Sequence, residues 1–159
     1  MTALSQNAIA NARGARQLTD IPITTGNQIY IGGLVNQLIG ATGRASAGTA
    51  ATGRRFVGYA YSFIGDNQDG LGVTGGTEKV RVSYLDELDL AVQTSLRTNT
   101  SLGLNVFVKD DATVGGTAVG TGGTQLPVGE LVAWVDETGT DKTRAWVAIR
   151  RFAQTNIGV

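Results

Sequence analysis

The chain has 159 residues, 42% hydrophobic and 16% charged, with 13 basic side chains balancing 13 acidic ones. This is a folded, weakly charged chain long enough for one ordinary domain or two very small ones, and neither disordered nor collagen-like despite its 23 glycines. It has no cysteine and no histidine, so disulfides and thiolate metal sites are excluded, and the commonest general base and transition-metal ligand are missing.

Residues 1–20 are rich in Ala, Asn and Gln, and Gly14 interrupts what little helical periodicity they have. They read as an extended N-terminal arm that orders against a neighbour, the alternative being a frayed end. They lack the early positive charge and apolar core of a signal peptide, and no segment reaches the roughly 18 apolar residues of a membrane span.

From Ile21 the pattern is strand-like, and residues 21–159 read as a single β domain. Ile29-Tyr30-Ile31 follows the turn signal TTGN, and Leu34, Val35 and Leu38 continue it. Residues 40–53 form a small-residue loop. Tyr59, Tyr61 and Phe63 share one strand face by two-residue alternation, and KVRVSY, Lys79 to Tyr84, is an alternating strand. Residues 85–97 fit a helix or a strand, and their context favours a strand followed by a turn. The last hairpin pairs Leu131–Val135 with Arg144–Ile149 across DETGTDK, and Tyr59, Tyr61, Trp134 and Trp146 are assigned to the core.

The second half replays the first. Gly26-x-x-Ile29-Tyr30-Ile31 matches Gly103-x-x-Val106-Phe107-Val108, each followed by a small-residue loop, a Val-Gly strand (Val57-Gly58, Val128-Gly129) and an alternating strand. The expected fold is therefore all-β: a compact β-sandwich or β-barrel of short strands, with two pseudo-repeated β-meanders at about 26–84 and 103–150.

Candidate chemistry is sparse. Asp110-Asp111 lacks the spaced oxygen ligands of a calcium loop and reads as an Asx turn. In Asp66-Asn67-Gln68-Asp69-Gly70 the second acid falls one position early, with no closing Glu, so it too reads as a turn. The glycine runs have no following GK[ST] and read as loops. Asp86-Glu87-x-Asp89 could supply paired carboxylates for glycoside hydrolysis, but reads as a solvated edge that discourages sheet aggregation. No catalytic, cofactor or metal site is assigned, and the chain reads as a non-enzyme.

Charge is unevenly spread. Arg13, Arg16, Arg44, Arg54 and Arg55 precede residue 61 with Asp20 as the only acid there, and every other acid lies between 61 and 141. A pI near 6.2 argues against nucleic-acid binding. Arginine suits bidentate carboxylate contacts across protein interfaces, so these five are the candidate interface residues.

The strand Gly103–Val108, then Asp110–Val114, Pro127–Val132 and the closing Ala145–Ile149 together resemble the cement (decoration) proteins of tailed-bacteriophage capsids, over roughly residues 22–150. The N-terminal twenty residues and the 40–53 loop depart from that pattern. The resemblance implies a structural virion protein, made in the host cytoplasm and seated on the outer capsid surface where major capsid subunits meet. Its implied partners are the major capsid protein and itself, as a homotrimer, with no membrane and no cofactor. The other reading is a β-sandwich receptor- or glycan-binding module, such as a head fibre or adhesin domain, which exposed Trp and Tyr would favour and buried Trp would count against.

Overall fold

The structure is a computed structural model that describes residues 12–13, 17–24, 27–38, 43–64, 78–84, 86–116 and 127–150. Among these the fold is all-β. Its strands are β1 (Ala12–Arg13), β2 (Gln17–Pro22), β3 (Leu34–Leu38), β4 (Ala45–Ala47), β5 (Arg54–Ile64), β6 (Lys79–Tyr84), β7 (Glu87–Val92), β8 (Asn105–Val108), β9 (Thr113–Gly115), β10 (Gly129–Trp134) and β11 (Arg144–Ile149). Two single 3₁₀ turns, Thr94–Leu96 and Asn99–Ser101, follow β7.

Two sheets form, with orders β2-β6-β5-β3-β4 and β1-β7-β11-β10-β8-β9. With β1 set aside, both have one topology: the first strand of each half pairs with its fifth, the fifth with the fourth, the fourth with the second, the second with the third. In the second half, β7 and β9 pair in parallel through Ala91↔Thr113 and Val92↔Val114 and close a five-stranded barrel. In the first half the same closure is one parallel bridge, Ile23↔Ala45.

The likeness extends to single hydrogen bonds. Gly32 N–H donates to the Ala60 carbonyl at 2.8 Å, and Gly103 N–H to the Leu131 carbonyl at 2.8 Å. Both glycines are left-handed, with φ +89° and +84°, a region closed to most side chains. Val35 pairs with Gly58, and Val106 with Gly129. A β-bulge lies between Ala60 and Ser62 on β5, and another between Leu131 and Ala133 on β10. Thr24 N–H donates to Ala45 as Gln93 N–H does to Val114.

This register corrects the sequence alignment: Val106 corresponds to Val35, not Ile29, and the repeats run from β2 to β6 and from β7 to β11. Ile29-Tyr30-Ile31 is not a strand. The turn closed by Gly33 N–H on the Tyr30 carbonyl, 3.0 Å, bends the chain there, and Ile29 is buried outside any ladder. The arm boundary at residue 20 falls inside β2, whose residues 17–22 all pair with β6. β1 lies along β7, with Ala12↔Leu88 and Arg13↔Glu87, while residues 1–11 and 14–16 lie outside the described residues. The 40–53 loop contains β4. Strand followed by turn is what residues 87–101 form, and the final hairpin pairs as expected.

Alternation in β5 fails at its bulge. Tyr59 is fully buried, but the extra residue turns Tyr61 outward to 40% exposure, so Tyr61 leaves the core. Trp134 is buried and Trp146 only half-buried.

The first interior is lined by Ile21, Ile23, Val35, Val57, Val80 and Val82. The second holds Leu88, Leu90, Val92, Val106, Leu131 and Val147, and to these Leu34, Phe56 and Tyr59 of the first half add their side chains. The two units thus share one apolar seam. Backbone bonds line it: Leu34 N–H to the Asp111 carbonyl at 2.7 Å, and Ala50 N–H to Lys109 at 3.3 Å. Asp86, in the connection of residues 85–86, is buried there. Its Oδ2 accepts from the Tyr59 hydroxyl at 2.8 Å and the Ser83 hydroxyl at 2.9 Å, and its carbonyl accepts from Ile149 N–H at 2.7 Å.

Candidate interface

Three of the five sequence-selected arginines lie at one end of the first unit. β3 begins at the seam, where Leu34 meets Asp111, and ends at Leu38, whose N–H donates to the Arg44 carbonyl at 3.1 Å and which pairs with Arg54. Arg55 sits opposite Gln37. Arg44, Arg54 and Arg55 therefore share the end of the first unit marked by the far end of β3, and each is half-exposed.

The side chains of Arg54 and Arg55, which leave opposite faces of β5, are braced rather than loose. Arg55 donates through Nε and Nη2 to Gln37 Oε1, at 2.9 and 2.6 Å, and Gln37 Nε2 donates onward to the Gly43 carbonyl. Arg54 Nη1 donates to Ser46 Oγ. The Arg54 contact engages one of the five N–H bonds its guanidinium carries. A planar, pre-positioned donor fork loses little freedom on meeting a carboxylate.

Arg13 lies in β1 on the second unit, and its side chain, like all of Arg16, lies outside the described residues.

The acids divide differently from the sequence reading. Asp86 is a buried link between units rather than a solvated edge, because Tyr59 and Ser83 supply the donors its carboxylate needs. Nothing in the spacing of DELD marks it; the signal lay in Tyr59, across a long stretch of chain. Asp89 is held by Arg144 Nε at 2.7 Å, as Asp20 is by Arg81 Nε at 2.9 Å, and this contact raises the Arg81 pKa. Asp110 Oδ1 accepts from Ala112 N–H at 2.9 Å, an Asx turn. Asp66–Gly70 lies outside the described residues.

In the β10–β11 turn, Asp136 accepts from the N–H groups of Asp141, Thr138 and Thr140 and from both threonine hydroxyls, at 2.7–3.1 Å. Asp141 N–H and the Thr138 hydroxyl are the leading reasons its carboxyl is held well below the usual carboxylate range. Asp141 is lowered by the Thr143 hydroxyl and N–H. Both carboxylates of the turn, Asp136 and Asp141, are therefore held charged at neutral and mildly acidic pH.

Among the described residues no group of three or more acids stands close enough to hold a metal ion, and no helix is long and apolar enough to cross a membrane. Comparison with protein-family models, with curated proteins and with solved structures finds no match to this chain.

Proposed function

We propose that the protein is a structural virion component that binds the outer surface of a phage capsid where major capsid subunits meet, and stabilises the expanded shell. The observation that carries this reading is the braced basic end. Arg54 and Arg55 are held by side-chain hydrogen bonds at the end of the first sheet away from the seam, and Arg44 lies at the same end through its carbonyl on Leu38. The motif resemblance supports the same class of partner. Several weak contacts of this kind, repeated in a homotrimer, gain avidity because they cannot all release together.

The test is co-sedimentation with expanded capsids. Wild type is expected to pellet with shells, and the triple variant Arg44→Ala, Arg54→Ala, Arg55→Ala to lose at least about tenfold in affinity, since charged hydrogen bonds are worth roughly 1.5–3 kcal/mol each. Binding should weaken with salt. Failure of wild type to bind shells discards the reading, and unchanged binding of the triple variant discards the basic end as its docking face. A deletion probing the N-terminal segment must stop before residue 12, because a cut at residue 20 removes most of β2 from its sheet.

A further inference from the structure

We propose that the free edge of β2 pairs with the same edge of a second copy of this chain, antiparallel and about a two-fold axis through Leu18. The two units treat this edge differently. In the second unit, β7 is bordered by β1 at residues 87–88 and by β9 at residues 91–92. In the first, β2 is closed only past its end, by the bridge Ile23↔Ala45, and among the described residues no strand borders residues 17–20. Leu18 pairs with Ser83 as Glu87 pairs with Ala148, so β1 on Glu87 shows that this edge of the fold accepts an antiparallel strand. The main chain of β2 is turned outward for one. Ile23 N–H donates to the Glu78 carbonyl at 2.9 Å on the β6 side, and Thr24 N–H to the Ala45 carbonyl at 3.0 Å on the other. Antiparallel alternation, carried back from there, directs the N–H and C=O of Leu18 and the N–H and C=O of Asp20 away from β6.

The occupant is read from the strand's own sequence. Arg16-Gln17-Leu18-Thr19-Asp20 is self-complementary when run antiparallel to itself. Centred on Leu18, the pairing sets leucine against leucine, Gln17 against Thr19 and Arg16 against Asp20; Arg16 enters by its place in the sequence alone. Leu18 is 44% exposed beside the exposed Asp20, and the pairing covers it. A charge on an edge strand discourages such contacts. Here Asp20 is already held by Arg81, through Nε at 2.9 Å and Nη2 at 3.3 Å, and a carboxylate has lone pairs for a second guanidinium. Other registers match less well: one centred on Asp20 sets acid against acid, and one centred on Thr19 sets Leu18 against Asp20. The strand β1 is no match either, since its Arg13 stands opposite Glu87 on β7 and would meet Leu18 here. This two-fold contact does not rest on capsid binding.

Sedimentation velocity of the full chain from about 5 to about 500 μM tests the pairing, since an interface this small associates weakly. Wild type is expected to gain mass with concentration. Leu18→Lys, which sets two cations on the axis, is expected to lose that gain while keeping the wild-type far-UV dichroism. The chain has no cysteine, so Leu18→Cys gives an independent reading. Residues facing each other in a hydrogen-bonded antiparallel pair stand about 5.5 Å apart at Cα, within disulfide reach. Under oxidised glutathione, Leu18→Cys is expected to form a covalent dimer at least about tenfold faster than Leu104→Cys, placed at a leucine of similar exposure in the second unit. A wild-type mass independent of concentration overturns the proposal. So does a gain that survives in Leu18→Lys, or equal crosslinking of the two cysteines. Should the lysine variant unfold, the cysteine pair decides alone. Every reading is made without capsids, so none of these outcomes bears on capsid binding.

Discussion

The two five-stranded units carry the same backbone ladder and opposite surfaces. The first turns Leu34, Phe56 and Tyr59 toward the second, and all three are buried in the shared seam. The ladder equates them with Asn105, Pro127 and Glu130, of which Asn105 and Glu130 are exposed and Pro127 half-buried. A repeat that docks on the next through an apolar face continues until some copy presents a polar one. Here the second copy presents a polar one at the matching ladder positions. The comparison teaches that the backbone scheme sets where side chains stand, while their chemistry sets whether a face is inside the molecule or on its surface.

The sharpest way to break the comparison is at its two matched glycines. A Cβ on Gly58 would stand 2.3 Å from the Ser83 carbonyl oxygen, and one on Gly129 would stand 1.9 Å from that of Ala148, the equivalent residue. Gly58→Ala and Gly129→Ala are each expected to cost about 3 kcal/mol, read by urea unfolding. Far-UV dichroism follows both units, and tryptophan emission follows only the second. A loss below about 0.5 kcal/mol at either site would show that the close strand approach is not what the glycine serves.

Next in size is the seam. Tyr59→Phe removes one donor from the buried Asp86 carboxylate and is expected to cost roughly 1–2 kcal/mol. Glu130→Gln, at the equivalent but exposed position, is expected to change stability by less than about 0.5 kcal/mol in the same assay. Equal effects would dissolve the contrast between the two faces.

The smallest effect is the pH response of the β10–β11 turn. The folded-state pKa of Asp136 is depressed, so its contribution is complete above the unfolded value of about 4 and is lost as pH falls through the folded one. Melting curves of wild type and Asp136→Asn should differ at neutral pH and converge only in strong acid. Convergence already at pH 4 would refute the hydrogen-bonded turn.

Much of this fold was legible in the residues. Alternation picked out β6 and β11, context favoured a strand at β7, and Val57-Gly58 with Val128-Gly129 marked the repeat. The register was not legible, because Gly26 and Gly32 look alike in sequence, and it is the φ of +89° at Gly32 that matches Gly103. Tyr61 misled for a related reason: a bulge inverts every later alternation, and its presence depends on partner strands. At the candidate interface, the spacing of Arg44, Arg54 and Arg55 suggested charge but not a shared sheet end, which needed the antiparallel pairing of β3 with both β4 and β5. Of the two tryptophans assigned to the core, Trp134 is there and Trp146 is only half-buried.

A shared register has a further consequence for how the chain folds. β11 offers β2 the same ladder that β6 does, and Asp20 would meet Trp146 and Arg144 there in place of Arg81 and Lys79, so charge alone does not tell the two apart. Tandem units of similar structure are prone to such strand exchange. Sorting must come from connectivity: β5 with β6 and β10 with β11 are successive in the chain, and each hairpin closes within its own half. Asp86 then sits as a registration mark between the halves. Its carboxylate finds donors only where Tyr59 and Ser83 already lie side by side, in a correctly built first unit.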